Sequence, residues 1–300
     1  MNNINTIKTR EARLLSNTHY LLGEGAAWHP QWRQFLCVDI LGKKVVRVDP
    51  QSGALKETQL DKCVSAVVPA EGDRLLVALQ GSLEELDIAT GNLQEIITIE
   101  ADLPGNRCND GKCDASGRFW IGTMHVDAKD GQGALYNFDG ESLNKVIGSR
   151  TISNGLAWSP DNKTMYYTDS AEHTIKAFDF DLETGTITRD RVIVEIMAAN
   201  HMPDGICVDA EGMLWVAVWG AGTVHRYNPD NGMLLGKIII DAPHVSNCAF
   251  GGKDMQQLFI TTARSGLTAS QLEQYPLSGG LFLADTGIKG MSGFPFKSRR

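Results

Sequence analysis

Hydrophobic and polar positions along the chain repeat one phrase six times. A polar residue is followed by three or four small or apolar residues, a turn, and then a six-residue β-rich run. It runs from Glu24-Gly-Ala-Ala-Trp-His-Pro to Phe35-Leu-Cys-Val-Asp-Ile, and from Asn154-Gly-Leu-Ala-Trp-Ser-Pro to Met165-Tyr-Tyr-Thr-Asp-Ser. Asp110-Gly-Lys-Cys-Asp-Ala leads to Phe119-Trp-Ile-Gly-Thr-Met, and Asp204-Gly-Ile-Cys-Val-Asp-Ala to Leu214-Trp-Val-Ala-Val-Trp. Weaker copies begin at Ser65 and Asn247. The leading positions 24, 65, 110, 154, 204 and 247 are spaced by 41, 45, 44, 50 and 43 residues. A period near 45 with four short strands per unit is the signature of a β-propeller blade. The reading is an all-β fold: a six-bladed β-propeller with four-stranded blades, forming a single domain over 1–300. The sixth blade is one strand short before the tail at 286–300, and residues 11–20 are positioned to supply it. Such closure removes a free sheet edge.

Composition narrows the function. Thirty-six acidic against 28 basic residues give a net charge of −8, and no Lys/Arg cluster stands out, which argues against nucleic acid or an anionic membrane as partner. No run of about 18 apolar residues is present to span a bilayer, and the start has no apolar signal region, so a cytoplasmic location is expected. The six cysteines (37, 63, 108, 113, 207 and 248) read as buried thiols, several lying in strand-like runs. Trp28, Trp120, Trp158, Trp215 and Trp219 recur with the blades and read as inter-blade core. An EF-hand-like run at Asp179, Asp181 and Glu183 has its glycine one place late and reads as a β-turn. Gly131-Gln-Gly133 lacks the third glycine of a dinucleotide fingerprint.

Glu24, Ser65, Asp110, Asn154, Asp204 and Asn247 each open the strand nearest the propeller axis. Three carboxylates and two amides must therefore converge at one end of the channel. Crowded carboxylates repel one another, and a divalent cation relieves that cost. The donors are all oxygens, which suits Ca²⁺ or Mg²⁺. Asp-Gly and Asn-Gly are also turn dipeptides, so turn chemistry is the competing reading. The connections at 124–133 and 263–279 return to the same end and are candidate walls of a pocket.

The motifs Leu22-Gly-Glu24-Gly, Arg107-Cys-Asn109-Asp-Gly-Lys, Gly122-Thr-Met, Ser153-Asn154-Gly-Leu-Ala-Trp-Ser, Tyr167-Thr-Asp-Ser and Met202-Pro-Asp204-Gly resemble the SMP-30/gluconolactonase/luciferin-regenerating-enzyme family. Asn247-Cys-Ala-Phe-Gly-Gly-Lys and Gly279-Gly-Leu-Phe match as well, so the resemblance covers nearly the whole chain. It implies one divalent cation in the channel, held by Glu24, Asn154 and Asp204; the oxygen donors put calcium foremost, with zinc, magnesium, manganese or iron as alternatives. It also implies substrate contacts from Arg107 and Asn109, with Asp127 the nearest match to an acidic substrate-binding residue. His125, His201 and the 264–278 loop are further candidates at the mouth. The implied activity is metal-dependent opening of sugar lactones, with Asp204 as general base. No Gly-x-Ser-x-Gly and no evident Cys–His pair argues for a covalent nucleophile. The alternatives are an esterase or phosphotriesterase on the same fold, or a non-catalytic calcium-binding regulatory propeller. The expected partner is a small-molecule sugar lactone, and the expected state a monomer.

Overall fold

A computed structural model describes residues 7–298. Its strands form six sheets arranged in a ring, the six-bladed β-propeller expected from the repeat. The first blade is a plain meander of Gly23–His29, Gln34–Asp39, Lys44–Val48 and Leu55–Gln59. The innermost strands of the next five are Val64–Pro69, Asn106–Cys113, Ser153–Trp158, Met202–Val208 and Val245–Gly251.

Burial falls from the axis outward. The innermost strands are almost wholly buried, whereas outermost strands such as Leu93–Thr98 and Leu143–Arg150 are largely exposed. The apolar core is accordingly divided into six clusters, one between each pair of neighbouring blades. Both faces of each sheet are covered by a neighbour, which explains the continuous Val/Leu/Ile runs in the second strands. Trp28, Trp120, Trp158 and Trp215 lie in these clusters. Trp219 instead is half-buried and stacks on His244 with ring centroids 4.1 Å apart.

The sixth blade is completed from the N-terminal side. Arg13–Ser16 pairs antiparallel with Leu281–Asp285, so the ring is closed by chain segments from opposite ends. A second N-terminal strand, Lys8–Glu11, adds in parallel to the outer edge of blade five, which the sequence pattern did not foretell. The one α-helix among the described residues, Ala269–Gln274, sits in the long connection of blade six and starts at a Thr268–Gln271 capping box. No helix there is long and apolar enough to cross a membrane.

All six cysteines are free thiols, five of them buried and Cys63 intermediate. The Asp181 carboxylate accepts hydrogen bonds from the backbone N–H groups of Glu183 and Thr184, so the EF-hand-like run is a turn closed on itself.

Candidate metal centre and substrate site on the propeller axis

Each innermost strand carries a bulge at the same height. The pairing register slips between Glu24 and Ala27, Val64 and Ala66, Cys108 and Gly111, Ser153 and Leu156, Pro203 and Ile206, and Val245 and Asn247. A bulge sets two residues against one and re-aims the side chains within it. The polar residues opening the repeats lie in or beside these bulges, inside strands rather than in turns, so the turn reading of Asp-Gly and Asn-Gly fails here. The glycines have a different use. A Cβ on Gly155 would stand 2.3 Å from the backbone oxygen of Asp204, and one on Gly205 would stand 2.3 Å from Cγ of Asn247. At these two positions adjacent blades approach too closely for a Cβ.

The polar groups so gathered are all buried: Glu24, Ser65, Asn109, Asp110, Asn154, Asp204 and Asn247. The Asn247 amide donates to Glu24 Oε2 at 3.2 Å and to Asp110 Oδ1 at 3.3 Å, bridging two carboxylates. Backbone N–H groups of Gly25 and Gly111 donate to the same two side chains. Asn154 Nδ2 donates to Ser170 Oγ at 3.0 Å, and that hydroxyl donates to the carbonyl of Pro203 at 2.7 Å, one residue before Asp204. Asn154 thus spends its N–H on the protein and turns its oxygen elsewhere. Asn154 Oδ1, Asp204 Oδ1 and Asp110 Oδ2 are buried without a hydrogen-bond partner. Leaving such atoms unpaired is costly.

Electrostatics sharpen the point. Burial raises the proton affinity of Asp204 well above the carboxylate range, and the charges of Glu24 and Asp110 raise it further. Glu24 is raised by burial and then by Asp110, and Asp110 by burial. Burial alone pulls the Arg107 guanidinium down, while Glu24 and Asp204 support its charge. Arg107 Nη1 donates to Asn109 Oδ1 at 2.7 Å and to the Cys108 carbonyl at 2.8 Å, and Asn109 Nδ2 donates to the Ser153 carbonyl at 2.9 Å. Arg107 and Asn109 therefore form a strut from blade three to the residue preceding Asn154.

Asp127 stands apart from this cluster. Its side chain is 73% exposed on the rim, 3.8 Å from His125 Nδ1, and its own N–H donates to that nitrogen. His201 is half-buried immediately before the innermost strand of blade five, and its carbonyl meets His173 Nδ1 at 3.0 Å. The 264–278 loop is tied to the rim of blade one by hydrogen bonds from Arg264 and Ser265 to the Leu21 carbonyl. Sequence reasoning passed over Ser170, although it closes the quoted Tyr167-Thr-Asp-Ser motif.

Among the described residues no three His, Cys, Asp or Glu side chains gather into a ready-made metal cluster. A cation on the axis must therefore add an amide oxygen to the carboxylates, and Asn154 has one unpaired. The orphaned oxygens, the repelling carboxylates and the all-oxygen donor set together fit a hard divalent ion.

Fold and site define a six-bladed propeller with a buried cluster of carboxylates and amides where its innermost strands meet. The chain belongs to the family described as the SMP-30/Gluconolactonase/LRE-like region, whose model matches residues 22–264. It is 35% identical to regucalcin of Gallus gallus over 289 residues, 94% of this chain and 97% of that one. Among solved structures it resembles a calcium-binding protein, regucalcin, from Agrobacterium tumefaciens, with TM-score 0.92 and 31% identity, covering 97% of this chain and 98% of that one. It also resembles a gluconolactonase from Xanthomonas campestris, with TM-score 0.72 and 25% identity, covering 91% and 88% of the two chains.

Proposed function

We propose that this protein is a divalent-cation-dependent hydrolase that opens sugar lactones to aldonic acids. The observation carrying this reading is the pair of buried, unpaired oxygens on neighbouring blades, Asn154 Oδ1 and Asp204 Oδ1, beside carboxylates that raise one another's proton affinity. Glu24, Asn154 and Asp204 would hold the ion. Oxygen donors favour Ca²⁺, and Mg²⁺, Mn²⁺, Zn²⁺ or Fe²⁺ can compete for such a site. When bound, a cation there supplies Lewis-acid polarisation of the lactone carbonyl.

The chain's own groups do the rest. Asp204, in its carboxylate form, takes a proton from the water that attacks the carbonyl carbon. It returns that proton to the ring oxygen as the ester C–O bond breaks, so no covalent intermediate is needed. The product acid then ionises, releasing one proton per turnover. Among the described residues Arg107 donates only through Nη1, which leaves Nε and Nη2 for substrate hydroxyls. Asn109, held on both sides, keeps that guanidinium in place. Asp127 serves from the rim as a further hydroxyl acceptor.

The family description and the Xanthomonas gluconolactonase support a sugar lactone as substrate. The Agrobacterium relative, described as calcium-binding, supports Ca²⁺ and also favours a second reading, a calcium-binding propeller without turnover. Proton release measured by pH-stat on a panel of aldonolactones, with and without chelator, separates the two. We expect turnover that the chelator abolishes and that Asp204→Asn lowers about 10²–10⁴-fold. Full-rate turnover by stripped protein would sink the hydrolase scheme. Calcium binding with no lactone turnover would favour the second reading.

A further inference from the structure

Resting on the cation-site reading above, we propose that Lys112 is the resident counter-ion of the axial carboxylates, spanning the channel beneath them and setting how tightly they hold a divalent cation. Lys112 stands two residues beyond Asp110 on the innermost strand of blade three, where the pairing ladder has resumed after the bulge between Cys108 and Gly111. The intervening Gly111 faces the other way: a Cβ there would strike Phe119 and Ile121 of its own blade. The Lys112 side chain thus enters the channel, and its Nζ donates to the backbone carbonyl of Ile206 at 2.6 Å. Ile206 belongs to the innermost strand of blade five, two blades away, and stands two residues beyond Asp204. The ammonium is therefore anchored just past Asp110 on its own strand and just past Asp204 on the strand it reaches.

Its surroundings on the far side explain why a cation is needed there. Beyond the carboxylate level the axis opens into a cavity of ≈ 90 Å³ that Lys112 helps to line, together with Trp28, Val68, Trp158, Phe250 and Phe294. Without the lysine, buried carboxylates would face a largely apolar chamber, an unfavourable arrangement for unpaired charge. Lys112 also lowers the proton affinity of Asp110, against the effect of burial.

The charge count fixes the sign of the expected effect. Counted fully ionised, as a bound ion requires, Glu24, Asp110 and Asp204 are offset by Arg107 and Lys112, giving one net negative charge before a divalent ion is added and one net positive charge after; the protons that the stripped site retains leave as the ion binds. Removing Lys112 shifts these to two negative and zero. A variant without this charge should bind a divalent cation more tightly, whereas mere damage to the site would weaken binding.

The test is calorimetric titration of Ca²⁺, and in parallel Mn²⁺, into chelator-stripped wild-type protein, Lys112→Met, Lys112→Gln and Lys112→Arg. The Gln variant keeps a donor for the Ile206 carbonyl without the charge and covers the case in which the Met variant does not fold. We expect the neutral variants to bind at least about tenfold tighter, since one unit charge near a divalent ion is worth more than about 1.4 kcal/mol in a partly buried site. Their stripped forms should melt below stripped wild type, and Lys112→Arg should restore wild-type affinity. Unchanged or weaker binding in a cooperatively melting neutral variant would overturn the proposal while leaving the cation site intact. If wild-type protein takes up neither ion, the cation-site reading fails and this proposal fails with it.

Discussion

Stability should report on the axial carboxylates before any substrate is known. The perturbation is removal of divalent ions by chelator, followed by melting at pH values from 5 to 8. Glu24 and Asp204 have proton affinities raised by burial and by neighbouring negative charge, so the stripped fold keeps protons that the unfolded chain has released. The stabilisation tied to those protons is complete below the unfolded carboxyl pKa and is lost as pH rises through the folded one. Each retained proton costs about 1.36 kcal/mol of stability per pH unit. Between an unfolded value of about 4.3 and pH 7, one such proton amounts to about 3.7 kcal/mol. A cation at about a thousand times its Kd returns about 4 kcal/mol by binding only the folded state. For a chain of 300 residues, that difference is roughly 6–12 °C in melting temperature. Subtracting stripped from calcium-loaded melting temperatures at each pH cancels groups remote from the axis. The gap should be small near pH 5 and widen toward pH 8. A gap that stays constant or narrows would refute the placement of repelling carboxylates around a cation.

Other perturbations test separate parts of the structure. Glu24→Gln should raise the melting temperature of stripped protein while abolishing its response to Ca²⁺, because it removes a repelling charge and a cation-binding oxygen together; scanning calorimetry with and without Ca²⁺ checks both. Arg107→Ala should raise KM for a lactone more than it lowers kcat, as measured by steady-state kinetics, if its free N–H groups hold ground-state hydroxyls. Gly155→Ala, whose methyl would meet the Asp204 carbonyl, should cost about 1–3 kcal/mol in urea unfolding and weaken cation affinity in calorimetry. Deleting residues 1–16 removes the outer strand of blade six and should convert a cooperative melt into early aggregation, followed by light scattering.

Sequence carried the architecture because the propeller repeats its local physics. A polar residue, a glycine and a β-rich run recur at a near-constant period, and each recurrence is an innermost strand followed by its hairpin partner. The missing strand of blade six was legible from a count, since a sheet of three needed a fourth and 11–20 offered one; the structure uses Arg13–Ser16. Lys8–Glu11 was not legible, because a fully exposed strand held by backbone pairing leaves no alternation to read. The substrate contacts of Arg107, Asn109 and Asp127 came from resemblance, a hard ion such as calcium from the oxygen donors, and Asp204 as base from a carboxylate beside that ion; all remain parts of the proposal above.

What escaped the sequence were contacts that depend on the third dimension at the axis. Lys112 meets Ile206 across 94 positions of chain, and nothing in a lysine two residues past an aspartate says which blade it will reach. Ser170 is similar: its hydroxyl decides which end of the Asn154 amide is left unpaired, yet in sequence it is one more residue at a strand end. The bulges belong here too. They place Asn109 and Asp110 together opposite a gap in the pairing ladder, so Asn109 reaches toward Arg107 and blade four while Asp110 faces Asn247 of blade six. Strict alternation would have sent one of the two to each face and left the strut between Arg107 and Ser153 without its middle member. The charge of the site is therefore written in residue types at repeat openings, but its direction is set by six slips in register.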